Sequence, residues 1–273
     1  MLSGVTIGIP GGGMAMKRFD ARWLWACLAV VAWGGSAGAA DSRLYEMRVY
    51  YAAEGKLDAL HARFRDHTVG LFAKHGMTSV GYFVPVGDNP QRKLVYFLSF
   101  PDRAARDAAF KAFVADPAWE QARSASEKDG KLVDRVESRF LATTDYSPPL
   151  TLPEVKAPRV FELRTYRATP GNLPALNARF RDHTLELFAK HGMTNVVYWN
   201  VAPGNPHADT LLVYLLAHAS PEAAQASFGA FRQDPAWIAA KSASEQKAGG
   251  SLTEAQGGVV SEFLLPTDYS PLR

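Results

Sequence analysis

Apolar and polar residues alternate from Leu44 to Tyr50 with a period of two. This predicts a strand with Tyr45, Met47 and Val49 on one face and Leu44, Glu46, Arg48 and Tyr50 on the other. The period then changes. Leu57, Leu60, Phe64, His67 and Leu71 recur at three- and four-residue steps, the stripe of a single amphipathic helix from Leu57 to His75, and Gly76 supplies the left-handed residue that ends it. Thr78–Val86 and Lys93–Phe100 read as strands joined by a turn at Gly87-Asp88-Asn89-Pro90. Pro101-Asp102 opens a second helix carrying Phe110 and Phe113, and Asp116-Pro117 begins a further helical segment with Asp as N-cap and Pro in its first turn. Val133–Leu141 closes the unit as a last strand.

The same order then recurs. Ala62-Arg63-Phe64-Arg65-Asp66-His67-Thr68 reappears letter for letter at 178–184, and Leu71-Phe72-Ala73-Lys74-His75-Gly76-Met77 at 187–193. In the second copy Val160, Glu162, Arg164 and Tyr166 take the polar strand face. Gly192 ends the first helix, Ser220-Pro221-Glu222 and Asp234-Pro235 start the next two, and Val259–Leu265 is the last strand. Each copy is βαββαβ, the ferredoxin-like split βαβ of the α+β class. The domains are residues 41–148 and 159–273, joined at 149–158 by a stiff linker containing three prolines, Pro149, Pro153 and Pro158. A ferredoxin-like sheet carries helices on one face and leaves the other bare. Packing the two sheets face to face into one barrel, with helices outside, covers both. The alternative arrangement pairs each copy with another chain, as a homo-oligomer.

Residues 1–40 follow a different pattern. Lys17, Arg18 and Arg22 precede an apolar run from Trp23 to Trp33, and Ala37-Gly38-Ala39-Ala40 offers small residues for cleavage. That is the pattern of a secretory signal peptide from about Met16 to Ala40, which predicts export to the periplasm or outside the cell. The run is shorter than the roughly 20 residues that span a bilayer, so no membrane anchor is expected after cleavage. Cys27, the one cysteine, lies in this leader, so the mature chain is expected to have no disulfide and no cysteine-held metal. The formal charge of +3 also owes part of its excess to the leader, and nothing in it points to nucleic acid.

Tyr45-Glu46-Met47-Arg48-Val49-Tyr50, the helix ending Phe72-Ala73-Lys74-His75-Gly76, and Asp116-Pro117-Ala118-Trp119 with Ser124 resemble the NIPSNAP family. Phe161 to Tyr166, Phe188 to Gly192 and Asp234 to Trp237 resemble it equally. The resemblance implies the dimeric α/β-barrel superfamily, whose members include cofactor-free monooxygenases, haem-binding enzymes and small decarboxylases or isomerases. They share a barrel rather than a reaction.

Two groups of residues are candidates for chemistry. With the apolar face of each first strand toward the helices, Glu46, Arg48 and Tyr50 would meet Glu162, Arg164 and Tyr166 inside the barrel and orient a small polar or aromatic ligand. Structural salt bridges closing the sheet interface are the alternative. Tyr82 and Tyr198 are candidates for an aromatic wall, or for core. His67 and His183 stand where the helical stripe calls for an apolar residue. They are candidate general bases or axial haem ligands, or else core histidines bonded to a neighbour. Arg65 and Asp66 read as charged surface, and His75 and His191 as cations against a helix C-terminus. No His/Asp/Glu set has metal-ligand spacing, and haem is the only cofactor that comes into question. The residues favour a small-molecule binding protein. An oxygenase-like or haem-dependent enzyme and a protein-interaction module acting through its outer helices stand as alternatives.

Overall fold

The alternating and helical stretches fold, in a computed structural model, into eight strands and the helices between them. Residues 41–151 and 159–273 are described, with positions 4, 6 and 8 isolated before them. The predicted signal peptide, Cys27 included, and residues 152–158 of the predicted linker lie outside the described residues. β1 (Leu44–Ala52) leads through α1 (Leu57–Arg63), a π-helical turn (Phe64–Thr68) and α2 (Val69–Lys74) to β2 (Thr78–Pro85). Then come β3 (Lys93–Phe100), α3 (Arg103–Val114), α4 (Pro117–Ser126) and β4 (Val133–Thr143). The second repeat has the same order: β5 (Val160–Arg167), α5 (Leu173–Arg179), a π-helical turn (Phe180–Thr184), α6 (Leu185–Lys190), β6 (Thr194–Val201), β7 (Leu211–His218), α7 (Pro221–Gln233), α8 (Pro235–Ala248) and β8 (Val259–Pro266).

The strands close into one antiparallel barrel in the order β1-β3-β2-β8-β5-β7-β6-β4. Each repeat contributes four neighbouring strands. Two short junctions seal the repeats together, Phe83, Val84 and Pro85 against Pro266, Leu265 and Leu264, and Leu141, Ala142 and Thr143 against Val201, Asn200 and Trp199. The interior is filled from both halves by Tyr45, Met47, Val49, Phe97, Leu163 and Trp199 among others. Phe97 stacks on Trp199 with ring centres 5.1 Å apart, and Phe83 meets Phe161 at 5.1 Å. Tyr45, Met47 and Val49 therefore face into the barrel, the reverse of the orientation expected from the alternation. Two further cores lie between each half of the barrel wall and its own helices. Central strands are consequently buried on both faces, as β7 is at every position from Leu211 to His218.

The helices end where the sequence predicts. Asp102, Asp116, Ser220 and Asp234 each cap a helix by accepting a backbone N–H through the side chain. Gly76 and Gly192 take positive φ, +75° and +78°. The Asp116 carboxylate also accepts from Lys74 Nζ and His75 Nε2, both at 2.7 Å, so the end of α2 is tied to the start of α4. Asp234 ties α6 to α8 in the same way. Hydrogen bonds from lysine and histidine hold both carboxyls well below the usual range.

The Thr-Asp-Tyr-Ser segment after each last strand crosses to the other repeat. Ser270 Oγ and Ser147 Oγ accept the backbone N–H groups of Tyr82 and Tyr198, at 2.9 and 3.0 Å. Tyr269 bonds His61 Nδ1 and Tyr146 donates to Asn177 Oδ1, each at 2.7 Å. Arg65 grips Asp268 through two bonds of 2.6 and 2.8 Å, and Arg181 grips Asp145 likewise. Arg65 is thus an inter-repeat contact rather than free surface charge. Because the barrel is shared, Tyr269→Ala is expected to lower the stability of both halves together, by about 2–3 kcal/mol. In urea the variant should unfold in one transition with a lower midpoint, whereas two separated transitions would show that the halves fold independently.

Candidate functional site

The polar strand faces lie outside the barrel wall, beneath the helices. Glu46 is fully buried and accepts from Arg48 Nη1 (2.5 Å), Ser138 Oγ (2.6 Å), and Arg106 Nε and Nη2 (2.7 and 2.8 Å). Glu162 accepts from Arg164, Ser261 and, at 3.0 Å, His218 Nε2. Arg48 and Arg164 continue outward to tyrosine hydroxyls, Arg48 to Tyr96 and Tyr50, Arg164 to Tyr214 and Tyr166. The six candidates therefore form two separate clusters, one per repeat, and do not converge in the barrel. The reason is solvation. The interior around Tyr45, Met47 and Phe97 is packed with aromatic and aliphatic side chains, whereas the helix side brings Arg106, and the sheet rim His218, to bonding distance of the carboxylates. Burial pushes the Glu46 and Glu162 carboxyls up. Hydrogen bonds from Arg106 and His218, with the charges of Arg48 and Arg164, outweigh it, so both lie below the ordinary value.

In the second repeat this cluster borders a cavity of about 660 Å³ between sheet and helices. Arg164 and Tyr166 of β5 form its floor, with Arg179, Phe180 and Phe188 on one side. Phe228, Phe231 and Arg232 of α7 close the far wall, and Trp237, Lys241 and Glu245 of α8 the outer one. Aromatic rings alternate with cations around it. Arg179 is the most deeply buried of these cations, and its guanidinium carbon lies 5.2 Å from the centre of the Trp237 ring. Its side chain is 4% exposed, Nη1 lies 3.5 Å from both Ser244 Oγ and Glu245 Oε1, and Nε has no hydrogen-bond partner. Burial pulls its pKa below the ordinary arginine value, against the opposing charge of Glu245. The corresponding Arg63 of the first repeat also leaves Nε without a partner but is held more tightly by Glu127, at 2.8 Å, so the longer contact to the glutamate is what sets Arg179 apart. The sequence places Arg179 between Leu176 and Phe180 on the buried stripe, a cation beside core positions, which is the signal that could have marked it.

His67 and His183 are solvent-exposed and do not line this cavity. The π-helical turn is what carries both histidines off the buried stripe. Val69 N–H bonds Phe64 O and Leu185 N–H bonds Phe180 O, five residues back, which inserts one residue and rotates the rest of the helix. Thr68 and Thr184 take the buried positions and donate their hydroxyls to Arg63 O and Arg179 O. Exposed histidines outside the cavity lining do not fit as axial haem ligands. Tyr82 and Tyr198 are fully buried, stacked on Tyr96 and Tyr214 at 5.5 and 4.9 Å, and belong to the helix–sheet cores rather than a ligand wall. Among the described residues no three His, Cys, Asp or Glu side chains gather as a metal site, and no helix is long and apolar enough to cross a membrane.

The fold and the site define an α/β barrel made of two fused ferredoxin-like halves, with a cationic, aromatic-walled cavity under the helices of the second. The NIPSNAP family model matches residues 45–148 and 161–271, and the chain belongs to the NIPSNAP family as a tandem, two-domain member. An uncharacterized NIPSNAP domain protein from Burkholderia xenovorans is 22% identical (TM-score 0.34), the match covering 38% of this chain and 98% of that one. A NIPSNAP family protein from Agrobacterium tumefaciens is 21% identical (TM-score 0.35), with 39% and 98% covered. A protein proposed to be a monooxygenase, from Lactobacillus acidophilus, spans both halves. It is 12% identical over 83% of this chain and 94% of its own, with a TM-score of 0.50, and shares the dimeric α/β-barrel fold. No curated protein matches the chain.

Because the Glu162 carboxyl is lowered in the folded state, its contribution to stability is present above pH 4.5 and is lost as the pH falls through the folded pKa. Glu162→Gln leaves Arg164 without its anion and is expected to cost about 3 kcal/mol at pH 7. The gap in urea midpoint between parent and variant should narrow as the pH falls from 7 to 3, whereas a constant gap would mean that the Glu162 carboxyl has the same pKa folded and unfolded.

Proposed function

We propose that this NIPSNAP protein binds a small organic anion with an apolar or aromatic body in the cavity of its second repeat, as an exported, periplasmic or secreted, carrier or receptor. The observation that carries the reading is Arg179, a buried guanidinium with loose partners and a free Nε at the wall of an aromatic-lined space. An arginine in that position is short of the charge-assisted hydrogen bonds that offset its desolvation. A carboxylate supplies them in the geometry a guanidinium fork prefers. Arg164, Arg232 and Lys241 add positive potential, and Phe188, Phe231 and Trp237 provide faces for an apolar body. The location differs from the space between the two repeats, which is packed with side chains. Binding is favoured over catalysis because both candidate bases, His67 and His183, lie on the outer helix surface.

Isothermal titration with 4-phenylbutyrate and its neutral amide tests the reading. The acid is expected to bind and the amide to bind at least tenfold more weakly. Arg179→Met should weaken the acid about 10- to 100-fold, the worth of hydrogen bonds to a charged group, with the circular dichroism spectrum unchanged. Equal binding of acid and amide, or an unaffected Arg179→Met variant, would remove the anion site.

A further inference from the structure

The two repeats provide an internal comparison at a second cavity beside Arg164. In the first repeat Arg106 of α3 lies across Glu46, its guanidinium carbon 4.1 Å from the centre of the Phe110 ring and 5.2 Å from that of Phe140. Arg103 covers the Phe140 ring from 4.1 Å. The corresponding positions of α7 hold Ala224 and Pro221, neither long enough to reach as far. Phe263 stands opposite Glu162 in the sheet as Phe140 stands opposite Glu46, so the framework is the same and only the plug differs. The recess left there, open toward solvent, is about 330 Å³ and is bounded by Arg164, Pro221, Glu222, Gln225, Phe228, Arg232 and Phe263, so the one carboxylate at its edge, Glu222, disfavours a second acid group and leaves the place to an apolar end. Glu162 does not need an arginine from the helix. His218, where the first repeat has Phe100, bonds it from the sheet.

Arg164, Phe228 and Arg232 line both this space and the 660 Å³ cavity, so the two chambers adjoin. We infer that the second repeat holds a two-chamber site for an elongated organic acid and that Ala224 sets the length it accepts. The carboxylate lies at Arg179 and the apolar end passes Phe228 to reach Phe263. This rests on the anion reading of the larger cavity. In the first repeat Arg106 occupies the place of the second chamber, so the repeats differ in the length of ligand they can hold.

A series of ω-phenylalkanoic acids of increasing chain length, titrated by calorimetry, tests the inference. With the parent protein, affinity should rise roughly three- to fourfold per methylene through the longer members. Ala224→Arg combined with His218→Phe copies the first repeat and should leave short acids unaffected while weakening long ones tenfold or more. Ala224→Met with His218→Phe sends an uncharged chain toward the same space and should do the same, and retained binding of the short acids reports a folded site in either variant. Parent affinity that stops rising at short chains, or variants that hold long acids as tightly as the parent, overturns the two-chamber site and leaves the anion site standing. A parent protein that binds no member of the series overturns both.

Discussion

Everything in this molecule follows from the closure of two four-stranded sheets into one barrel through junctions only three residue pairs long. Neither half can cover the inner face of its own sheet, so each supplies half of a common core. The junctions are too short to hold that core alone. The exchanged Thr-Asp-Tyr-Ser segments reinforce them, each reaching the other repeat with backbone, hydroxyl and ion-pair contacts. The fusion of two copies in one chain makes the exchange intramolecular, which removes the concentration dependence that a pair of separate chains would carry.

Closure also determines where chemistry can occur. Once the barrel is filled, the fully buried carboxylates of the first strands are accommodated on the outer face, where helices and the sheet rim bring hydrogen-bond partners. Glu46 and Glu162 become centres of buried networks with fixed charge, and the arginines they hold present tyrosines and guanidinium groups toward the helices. The space between wall and helices is then both the second core and the ligand candidate. Whether a given repeat fills it or leaves it open depends on a few side chains, such as Arg106 against Ala224. Two copies with the same framework thereby acquire different interiors without any change of fold.

The helical candidates show a similar dependence on context. A stripe counted at 3.6 residues per turn runs through His67, but the extra residue of the π-helical turn moves Thr68 into that place and turns the histidine to solvent. The motif is identical in both copies, and so is the turn. The 3.6-residue periodicity holds through the first half of the helix, as the buried Leu60 and Phe64 show. The periodicity breaks where the backbone changes from four-residue to five-residue bonds, a change with no local signature in side-chain hydrophobicity.

The order of elements, the duplication, the helix caps and the family were all determined by the chain itself, because period, cap chemistry and repetition are local properties that neighbouring residues carry. Which face of β1 turned inward was not. Its alternation distinguishes two faces, but in a closed barrel both are buried, so polarity no longer separates inside from outside. That choice belongs to partners distant in sequence, Arg106 sixty residues from Glu46 and His218 fifty-six from Glu162. The cavity was undetermined for the same reason: it is the volume that α7 and α8 fail to fill over β5, and the fit of packed surfaces exists only once tertiary structure has formed.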